Sequence, residues 1–261
     1  MTILIQSRPS NGARTLRNAI REEGVRCLLR RRDATSRLRR SSMLINWGCS
    51  VSRQAPHLNN TARVAAAVNK LAAFKTMHVA GVSIPSYTDI PPGVDVNVGD
   101  GIWLERFDVA GHGGKGINIV RPGEKWSEQD APLYVQYIPK LLEFRVHVFS
   151  LPFHRDTLVR QKLGIEGFGR DRNQRLIRNT DNGYVLGLPR DADKAELAKT
   201  EAVKAVEAMG LHFGAVDVII GRDDDKAYVL EVNTAPGIEA GPVVDFYKSN
   251  FISIYRGRAW S

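Results

Sequence analysis

The sequence predicts a mixed α+β protein that begins with a small α/β unit. Within residues 211–237, two apolar runs flank a polar turn, which is the pattern of an antiparallel hairpin. Apolar residues recur at helical spacing in residues 59–80 and 191–209. The first 48 residues are predicted to form strand, helix, strand and strand, an order typical of an α/β layer.

The N-terminal unit is predicted to span residues 1–58. Its expected elements are strands at 2–6, 25–29 and 43–47 and a helix at 13–23. Thirteen arginines and only three acidic residues precede residue 64, so this segment carries +10 and the rest of the chain about −1. Since arginine binds carboxylates and phosphates bidentately, an acidic peptide, a small carboxylate or nucleic acid is a candidate partner. The alternative is a basic surface without a specific ligand.

The middle of the chain is predicted to combine one helix with short strands. The helix is expected over residues 59–80, with Asn60 as its N-cap, Gly81 beyond its end and Lys70 within it. Strands separated by glycine-rich or proline-rich turns are expected at 102–107, 116–120 and 133–138.

The C-terminal half contains a strand with two chemically different faces, expected at residues 141–149. Because side chains alternate along a strand, its polar residues share one face and its apolar residues the other. The polar face carries Glu143, Arg145 and His147. Shorter strands are expected at 158–163 and 184–186. An aspartate, at position 191 or 193, is expected to cap the helix that ends at Met209.

Composition restricts the cellular setting. No apolar run approaches the ~20 residues that a membrane-spanning helix needs, and residues 1–6 are too short for a signal peptide. Cys27 and Cys49 have no metal-type spacing and offer no disulfide framework. We therefore expect a cytoplasmic protein with no membrane partner.

The hairpin of residues 211–237 carries the most specific chemical signal. Glu231 and Asn233 project from one face of a strand, roughly 6.5–7 Å apart. If the register places Asp217 beside Glu231, two carboxylates and an amide oxygen converge, a ligand set that suits Mg²⁺. The alternative is a solvated hairpin whose acidic residues face water.

Residues 111–116 match G-x-G-x-x-G, which alone is a weak signal. A strand is predicted after them, so the loop is interpreted as the tip of a hairpin and not as a dinucleotide site. Glycine backbone N–H groups can approach a phosphate closely. The candidate phosphate contacts are His112, Gly113, Gly114, Lys115 and Gly116. A P-loop is excluded because glycine follows Lys115, and protein-kinase signatures are missing; a flexible turn is the alternative.

Two further segments are candidate ligand contacts. Gln136, Tyr137 and Ile138 end a strand, where backbone donors and acceptors beside apolar side chains would suit a purine; an ordinary strand end is the alternative. Arg145, on the same face as Glu143, is a candidate phosphate ligand paired with a ribose or metal contact. A cross-strand salt bridge is the alternative for Arg145.

A polar segment after Lys162 is the last candidate. Within it, Arg178 and Asn179 would bring another positively charged donor toward the site, and an ordinary loop is the alternative. We take Arg145, Lys162 and Asn179 as the candidate catalytic residues.

The order of these segments resembles the ATP-grasp family. The residues that carry the resemblance are 69–70, 81–85, 104–106, 111–117, 133–138, 143–146, 217 and 231–237. It covers roughly residues 59–244 and is closest in character to ribosomal-protein glutamate ligases and related phage-type proteins. The resemblance implies an ATP-grasp domain over residues 59–261, after the short N-terminal domain. Two α+β subdomains, about 70–132 and 133–250, would hold ATP between antiparallel sheets.

The resemblance also implies roles for individual residues. Lys70 and Arg106 would contact the ATP phosphates, with the glycine loop folded over them. Gln136 to Ile138 would contact adenine, and Glu143 would contact the ribose. Arg145 would contact the transferring phosphate, Asn179 would lie on the phosphate side of the site, and Asp217, Glu231 and Asn233 would hold Mg²⁺ or Mn²⁺. Arg106 stands where family members commonly have lysine.

The function implied is an ATP-dependent ligase that joins a carboxylate to an amine through an acyl phosphate, with release of ADP and phosphate. Its substrates would be a small carboxylate and an amine, or an acidic peptide or protein acceptor. The alternative is a regulatory protein that keeps the fold as a nucleotide sensor or binds nucleic acid through the arginine-rich N-terminus. An oligomer is compatible with the sequence.

Overall fold

The N-terminal part of the protein is a parallel α/β layer. The computed structural model describes residues 2–34, 41–91, 101–110, 116–169, 171, 176–238 and 241–257. The first elements are β1 (Thr2–Ser7), α1 (Asn11–Glu22), β2 (Cys27–Arg30) and β3 (Ser42–Trp47). The strands form a parallel sheet in the order β2-β1-β3, and Ser10 caps α1 by accepting a hydrogen bond from the Ala13 N–H.

Two helices stand where the sequence predicts one, so the single helix over residues 59–80 is wrong. They are α2 (Thr61–Val68) and α3 (Lys70–Val79). Asn60 caps α2 as predicted, with its side-chain oxygen 2.8 Å from the Ala62 nitrogen. Asn69 has extended backbone angles between the helices, and its side-chain oxygen accepts from the Ala72 N–H and starts a new helix. Lys70 is therefore the first residue of α3.

A four-stranded antiparallel sheet follows. Its strands are β4 (Tyr87–Thr88), β5 (Trp103–Arg106), β6 (Ile117–Val120) and β7 (Leu133–Gln136), in the spatial order β4-β7-β5-β6. Because Arg106 pairs with Ile117, the segment between β5 and β6 joins the strands of a hairpin, as predicted. His112, Gly113, Gly114 and Lys115 lie outside the described residues.

The second antiparallel sheet has five strands and one covering helix. The elements are β8 (Lys140–Leu151), β9 (His154–Gly164), β10 (Tyr184–Gly187), α4 (Ala192–Ala208), β11 (Phe213–Gly221) and β12 (Ala227–Asn233). The spatial order is β10-β9-β8-β11-β12. Asp191 caps α4 through the Lys194 N–H, which settles which of the two predicted aspartates acts. The predicted hairpin, β11 and β12, is confirmed.

A C-terminal helix, α5 (Pro242–Gly257), is missing from the sequence-based prediction. Its buried residues include Val244, Tyr247, Phe251 and Ile254, whose spacing of three or four residues is helical, and a proline occupies its first position. This helix packs against α1 and shares one hydrophobic core with the N-terminal sheet. Among the described helices, none is both long and apolar enough to cross a membrane.

The two faces of the five-stranded sheet have different tasks. The apolar side chains of β8 and β11 pack under α4 on one face, as the alternation predicts. The opposite face is divided along its length. Phe149, Phe213 and Tyr247 of α5 fill one end with stacked and edge-on ring contacts. The other end bears the charged residues of the candidate site.

A close contact joins the N-terminal sheet to the segment after β12. Gly48, at the end of β3, has φ +74°, and a Cβ built on it would lie 2.5 Å from the Ala235 Cβ. Glycine permits both the backbone angle and the approach. The contact sets how near the N-terminal unit comes to the strand that carries Glu231 and Asn233.

We expect Gly48→Ala to destabilise the protein more than Gly24→Ala does. Both glycines have positive φ, +74° and +72°, but nothing lies within 4 Å of a Cβ at Gly24. The backbone cost of about 1 kcal/mol is common to both variants, and overpacking adds about 1–3 kcal/mol at Gly48. Urea unfolding measures the difference in the free energy of unfolding. Equal losses would show that the Gly48–Ala235 contact is not tight.

Candidate active site

A cavity of about 170 Å³ lies between the two antiparallel sheets and the start of α3. Eleven of the predicted site residues line it: Lys70, Arg106, Gln136, Tyr137, Ile138, Glu143, Arg145, Lys162, Asn179, Asp217 and Glu231. Asn233 lines a neighbouring cavity. Gly116 lines neither cavity. It is a turn residue with φ +68°, and it lies against Asp108. Residues far apart in sequence therefore meet as predicted, while their roles stay predictions.

The lining of this cavity combines apolar and charged side chains. Apolar side chains come from α3, from both sheets and from the connecting segments, and most charged ones come from the five-stranded sheet. Among the described residues, six cationic side chains and three carboxylates line it, an excess of three positive charges. The cations are Lys70, Arg106, Lys140, Arg145, Lys162 and Arg178. Such a cavity suits an anionic ligand that has an apolar part.

Asp217 on β11 is the centre of a buried ion network. Arg145 on β8 donates from Nε and from a terminal guanidinium nitrogen to the two Asp217 oxygens, at 2.7 and 2.9 Å. Lys162 on β9 donates to the same carboxylate at 2.9 Å. Burial alone would raise the pKa of Asp217, but these two cations hold it well below its usual range. The cross-strand salt bridge considered for Arg145 is thus present.

Glu143 forms the second half of the network. Lys140 and Lys162 donate to its two carboxylate oxygens at 2.9 and 2.7 Å. Burial would raise the pKa of Glu143, and the two ammonium groups lower it. Lys162 also donates to the Arg178 carbonyl at 3.2 Å, so all three of its N–H groups are used. Burial opposes the charge of Lys162, yet Asp217 and Glu143 raise its pKa.

Lys140 is a site residue that sequence reasoning missed. Strict alternation would place it on the face opposite Glu143. The register, however, pairs Leu142 with Ile220 and Lys140 with Gly221, which leaves Leu141 as an extra residue in a bulge. The bulge returns Lys140 to the face of Glu143. Strand periodicity gives no sign of such a shift.

The register of the hairpin agrees with the prediction. Asp217 pairs with Glu231, and Ala215 pairs with Asn233. The Asn233 amide donates to one Glu231 oxygen at 3.0 Å, and the Lys70 ammonium lies 3.6 Å from the other. The side chains of Glu231 and Asn233 are therefore in contact, through the amide nitrogen of Asn233.

These residues fit a magnesium site that the ligand completes. Asp217 accepts three hydrogen bonds, so about one of its roughly four acceptor positions remains. In the part of the chain that the structure describes, no three His, Cys, Asp or Glu side chains are grouped to hold a metal ion. Two carboxylates and one amide are too few for octahedral Mg²⁺, which ordinarily takes further oxygens from phosphates and water.

The remaining predicted contact residues differ in whether their polar atoms already have hydrogen-bond partners. Arg106 and Arg178 each have a buried Nε without an acceptor among the described residues, as an anion-binding site would. Burial lowers the pKa of Arg106, while Glu231 raises it. The Asn179 side-chain oxygen accepts from the Asn182 N–H at 2.9 Å, so a turn already uses that atom.

A second cavity of about 370 Å³, the acceptor chamber, adjoins the first. It shares Lys70, Arg145 and Glu231 with the first cavity and extends toward the N-terminal unit. There it is lined by Arg8, Ser10, Trp47 and the segment 232–237, among others. No local sequence pattern predicts this chamber, because it forms only where two distant segments meet at Gly48.

His147 lies deeper on the same sheet face, beyond Arg145. It is fully buried, with Nδ1 3.1 Å from the Tyr247 hydroxyl and Nε2 without a partner among the described residues. Burial, with the nearby Arg145 charge, lowers the pKa of His147 to about 3. His147 is therefore neutral in the folded protein at neutral pH.

The fold of the chain is an ATP-grasp fold, as the resemblance implied, and it is shared with solved structures of a synthase, a synthetase and a macrocyclase. A carboxyaminoimidazole ribonucleotide synthase from Aspergillus clavatus, complexed with ATP, matches at 11% identity and a TM-score of 0.66, over 97% of this chain and 76% of the other. D-alanyl-alanine synthetase A from Vibrio cholerae matches at 14% identity and 0.62, over 100% and 98%.

A third structure, the macrocyclase MdnC from Microcystis aeruginosa bound with precursor peptide MdnA, matches at 14% identity and a TM-score of 0.60, over 97% of this chain and 100% of the other. No family model and no curated protein matches the sequence. At such low sequence identities, the similarity establishes the fold alone, and the reaction has to be inferred from the residues of the site.

We expect His147→Gln to reduce the loss of stability on acidification. In the unfolded chain the histidine pKa is about 6.5, so unfolded His147 gains a proton as the pH falls while the folded residue, with a pKa of about 3, does not. The contribution of His147 to the free energy of unfolding is therefore fully present above pH 6.5 and decreases below it, by about 2 kcal/mol at pH 5. Urea unfolding at pH 7 and pH 5 measures the change. Exposed His78→Gln is the control; equal pH dependence in all three proteins would contradict the assignment.

Proposed function

We propose that the protein is an ATP-dependent ligase that joins a carboxylate to an amine. The observation that carries the proposal is the cavity between the sheets, whose described lining combines apolar side chains with an excess of positive charge. It meets the acceptor chamber at Lys70, Arg145 and Glu231, where a reacting phosphate would lie beside an acceptor. Two of the similar solved structures are named a synthase and a synthetase, and the synthase is complexed with ATP.

The adenine would lie against the apolar side of the cavity, at Gln136 to Ile138. The N–H groups of Gln136 and Tyr137 already donate to Ser86 and Ile102 carbonyls, at 2.9 and 2.8 Å. The Ile138 N–H is therefore our candidate for the donor to the purine. Glu143, held between two lysines, would accept from the ribose.

The triphosphate would lie along the positively charged side. Its four negative charges are opposed by the excess of three positive charges in the described lining, to which a divalent cation would add two, so that the occupied site would carry about +1. Lys70, Arg106 and Arg145 would contact the phosphates. Asp217, Glu231 and Asn233 would hold Mg²⁺, which, when bound, supplies charge neutralisation at the transferring phosphate. Mn²⁺ has the same preference for oxygen ligands.

Nucleotide binding should require the two sheets to separate. The cavity of about 170 Å³ is smaller than the ~300–1,000 Å³ of typical ligand pockets. The four-stranded sheet contributes Leu104, Arg106 and Val135 to the lining and joins the five-stranded sheet through the segment 137–139. A small rotation about that segment would enlarge the cavity without breaking the ion network.

The reaction would proceed in two steps. One oxygen of the substrate carboxylate, in the acceptor chamber, attacks the γ-phosphorus; the bond to the bridging oxygen breaks and ADP leaves. The amine nitrogen then attacks the acyl carbon, the carbon–oxygen bond breaks, and phosphate leaves with one former carboxylate oxygen as the amine loses a proton. Arg145 lines both cavities and would stabilise charge on the transferring phosphate in each step.

This chemistry depends on positioning more than on protein acids and bases. The network around Asp217 holds Arg145 in one orientation, so that the guanidinium is ready before substrate arrives. Lys162 would act by fixing Asp217 and Glu143, since its own three N–H groups are occupied. Within ATP-grasp ligases, we propose a place near the ribosomal-protein glutamate ligases and phage-type proteins, on the order of segments over residues 59–244 that carries the resemblance.

The direct prediction is ADP release. The protein, incubated with ATP, Mg²⁺ and a mixture of amino acids and acidic peptides, should release ADP and form an amide. Glu231→Ala should lower the rate by about 100-fold or more, because the metal and Lys70 lose their carboxylate. Glu196→Ala, which removes an exposed carboxylate paired only with Lys199 in the described chain, is the matched control.

The stoichiometry of oxygen distinguishes the proposed route from others. With an ¹⁸O-labelled carboxylate, one label should appear in inorganic phosphate. Release of AMP, label retained wholly in the amide and unreacted acid, or full activity of Glu231→Ala would refute the acyl-phosphate ligase.

A further inference from the structure

The acceptor chamber continues into a groove on the N-terminal unit. This groove, the arginine groove, has a volume of about 750 Å³ and shares Arg8 and Ser10 with the chamber. Of the residues that the structure describes, five arginines and one acidic residue, Asp33, line it. The arginines are Arg8, Arg14, Arg30, Arg31 and Arg32. A positively charged path therefore runs from the protein surface to the point where Arg145 and Glu231 meet.

The arginine groove is built by three adjoining elements. Arg8 precedes α1, Arg14 lies in its first turn, and Arg30 ends β2. Four of the five arginines are exposed, while Arg30 is half-buried and donates to the Gln54 side chain at 3.1 Å and to the Ala34 carbonyl at 3.3 Å. The first turn of α1 has no acidic residue, so the positive end of the helix adds to the field at Ser10.

We propose that the arginine groove binds an acidic segment of a peptide or protein substrate and directs one of its carboxylates into the acceptor chamber. The inference rests on the proposed ligase function and names its substrate class. Guanidinium groups bind carboxylates in bidentate pairs, so a row of them matches a run of aspartate or glutamate side chains. The shared lining at Arg8 and Ser10 connects the bound segment to the reacting carboxylate.

A peptide fits this groove better than a nucleic acid does. Proteins that bind single strands usually stack bases on aromatic side chains. The described lining of the groove contains no aromatic residue, and its apolar members are Pro9 and Leu29. A ligase that activates carboxylates would moreover take its reacting group directly from an acidic peptide.

The test is binding of a fluorescein-labelled hexaglutamate peptide, followed by anisotropy with the full chain and without ATP. Arg31→Ala/Arg32→Ala should weaken binding by about tenfold, at about 0.7 kcal/mol for each ion pair. Arg21→Ala/Arg26→Ala removes the same charge from exposed positions outside the groove lining and should change the affinity by less than about twofold. A labelled single-stranded oligonucleotide of equal charge is measured in parallel.

Three results would overturn the inference: no peptide binding by the wild-type chain, equal weakening in both double variants, or tighter binding of the oligonucleotide. Because this assay contains no nucleotide, its outcome is independent of turnover. If the wild-type protein binds the peptide but releases no ADP in the ligase assay, the proposed ligase function is refuted and peptide binding by the groove is not. ADP release from small carboxylates without peptide binding would refute the groove alone.

Discussion

The pairing of Asp217 with Arg145 and Lys162 is the interaction on which the rest of the site depends. It connects three neighbouring strands, β8, β9 and β11, on the face that lines the cavity. Removing one partner of a buried pair typically costs about 3–5 kcal/mol, because the other charge is left uncompensated. An apolar replacement of the whole network would be less costly, so its stability alone does not account for it. Under the proposed function, the network would hold cations in fixed positions for an anionic ligand.

The two ends of one sheet face explain how such a network can be buried. At one end, Phe149, Phe213 and Tyr247 form an aromatic core that joins α5 and the N-terminal sheet to β8 and β11. That core makes the sheet rigid without using the polar end. His147 stands at the boundary, neutral and bonded to Tyr247, and it separates the aromatic core from the Arg145 charge. Stability and chemistry are thereby supplied by different ends of the same strands.

Much of the architecture follows from local sequence because its causes are local. The side-chain alternation of β8, the cap at Asn60 and the pairing of Asp217 with Glu231 all depend on neighbouring residues or one hairpin. The break at Asn69 also has a local cause, the cap that its side chain makes with the Ala72 N–H, but the helical apolar spacing continues across it and conceals it. The bulge at Leu141 is likewise invisible to periodicity, and it alone brings Lys140 to Glu143. The omitted α5 is different: its apolar spacing is readable, and the proline at its start is consistent with it.

The site shows the same division. Its members could be named from short segments, but whether Arg145 faces a ligand or a carboxylate depends on three strands at once. The acceptor chamber depends on the Gly48 contact between segments almost 190 residues apart, so no single stretch of sequence predicts it. The arginine groove is different, because its described lining lies wholly within residues 7–33 of the N-terminal unit.

The most direct test of the central claim is a crystal structure of the protein with AMP-PNP and Mg²⁺. The account predicts adenine beside the Ile138 backbone, the γ-phosphate between Lys70 and Arg145, and the metal bound by Asp217, Glu231, Asn233 and phosphate oxygens. A nucleotide bound outside the cavity between the sheets, or phosphates directed away from the acceptor chamber, would contradict it.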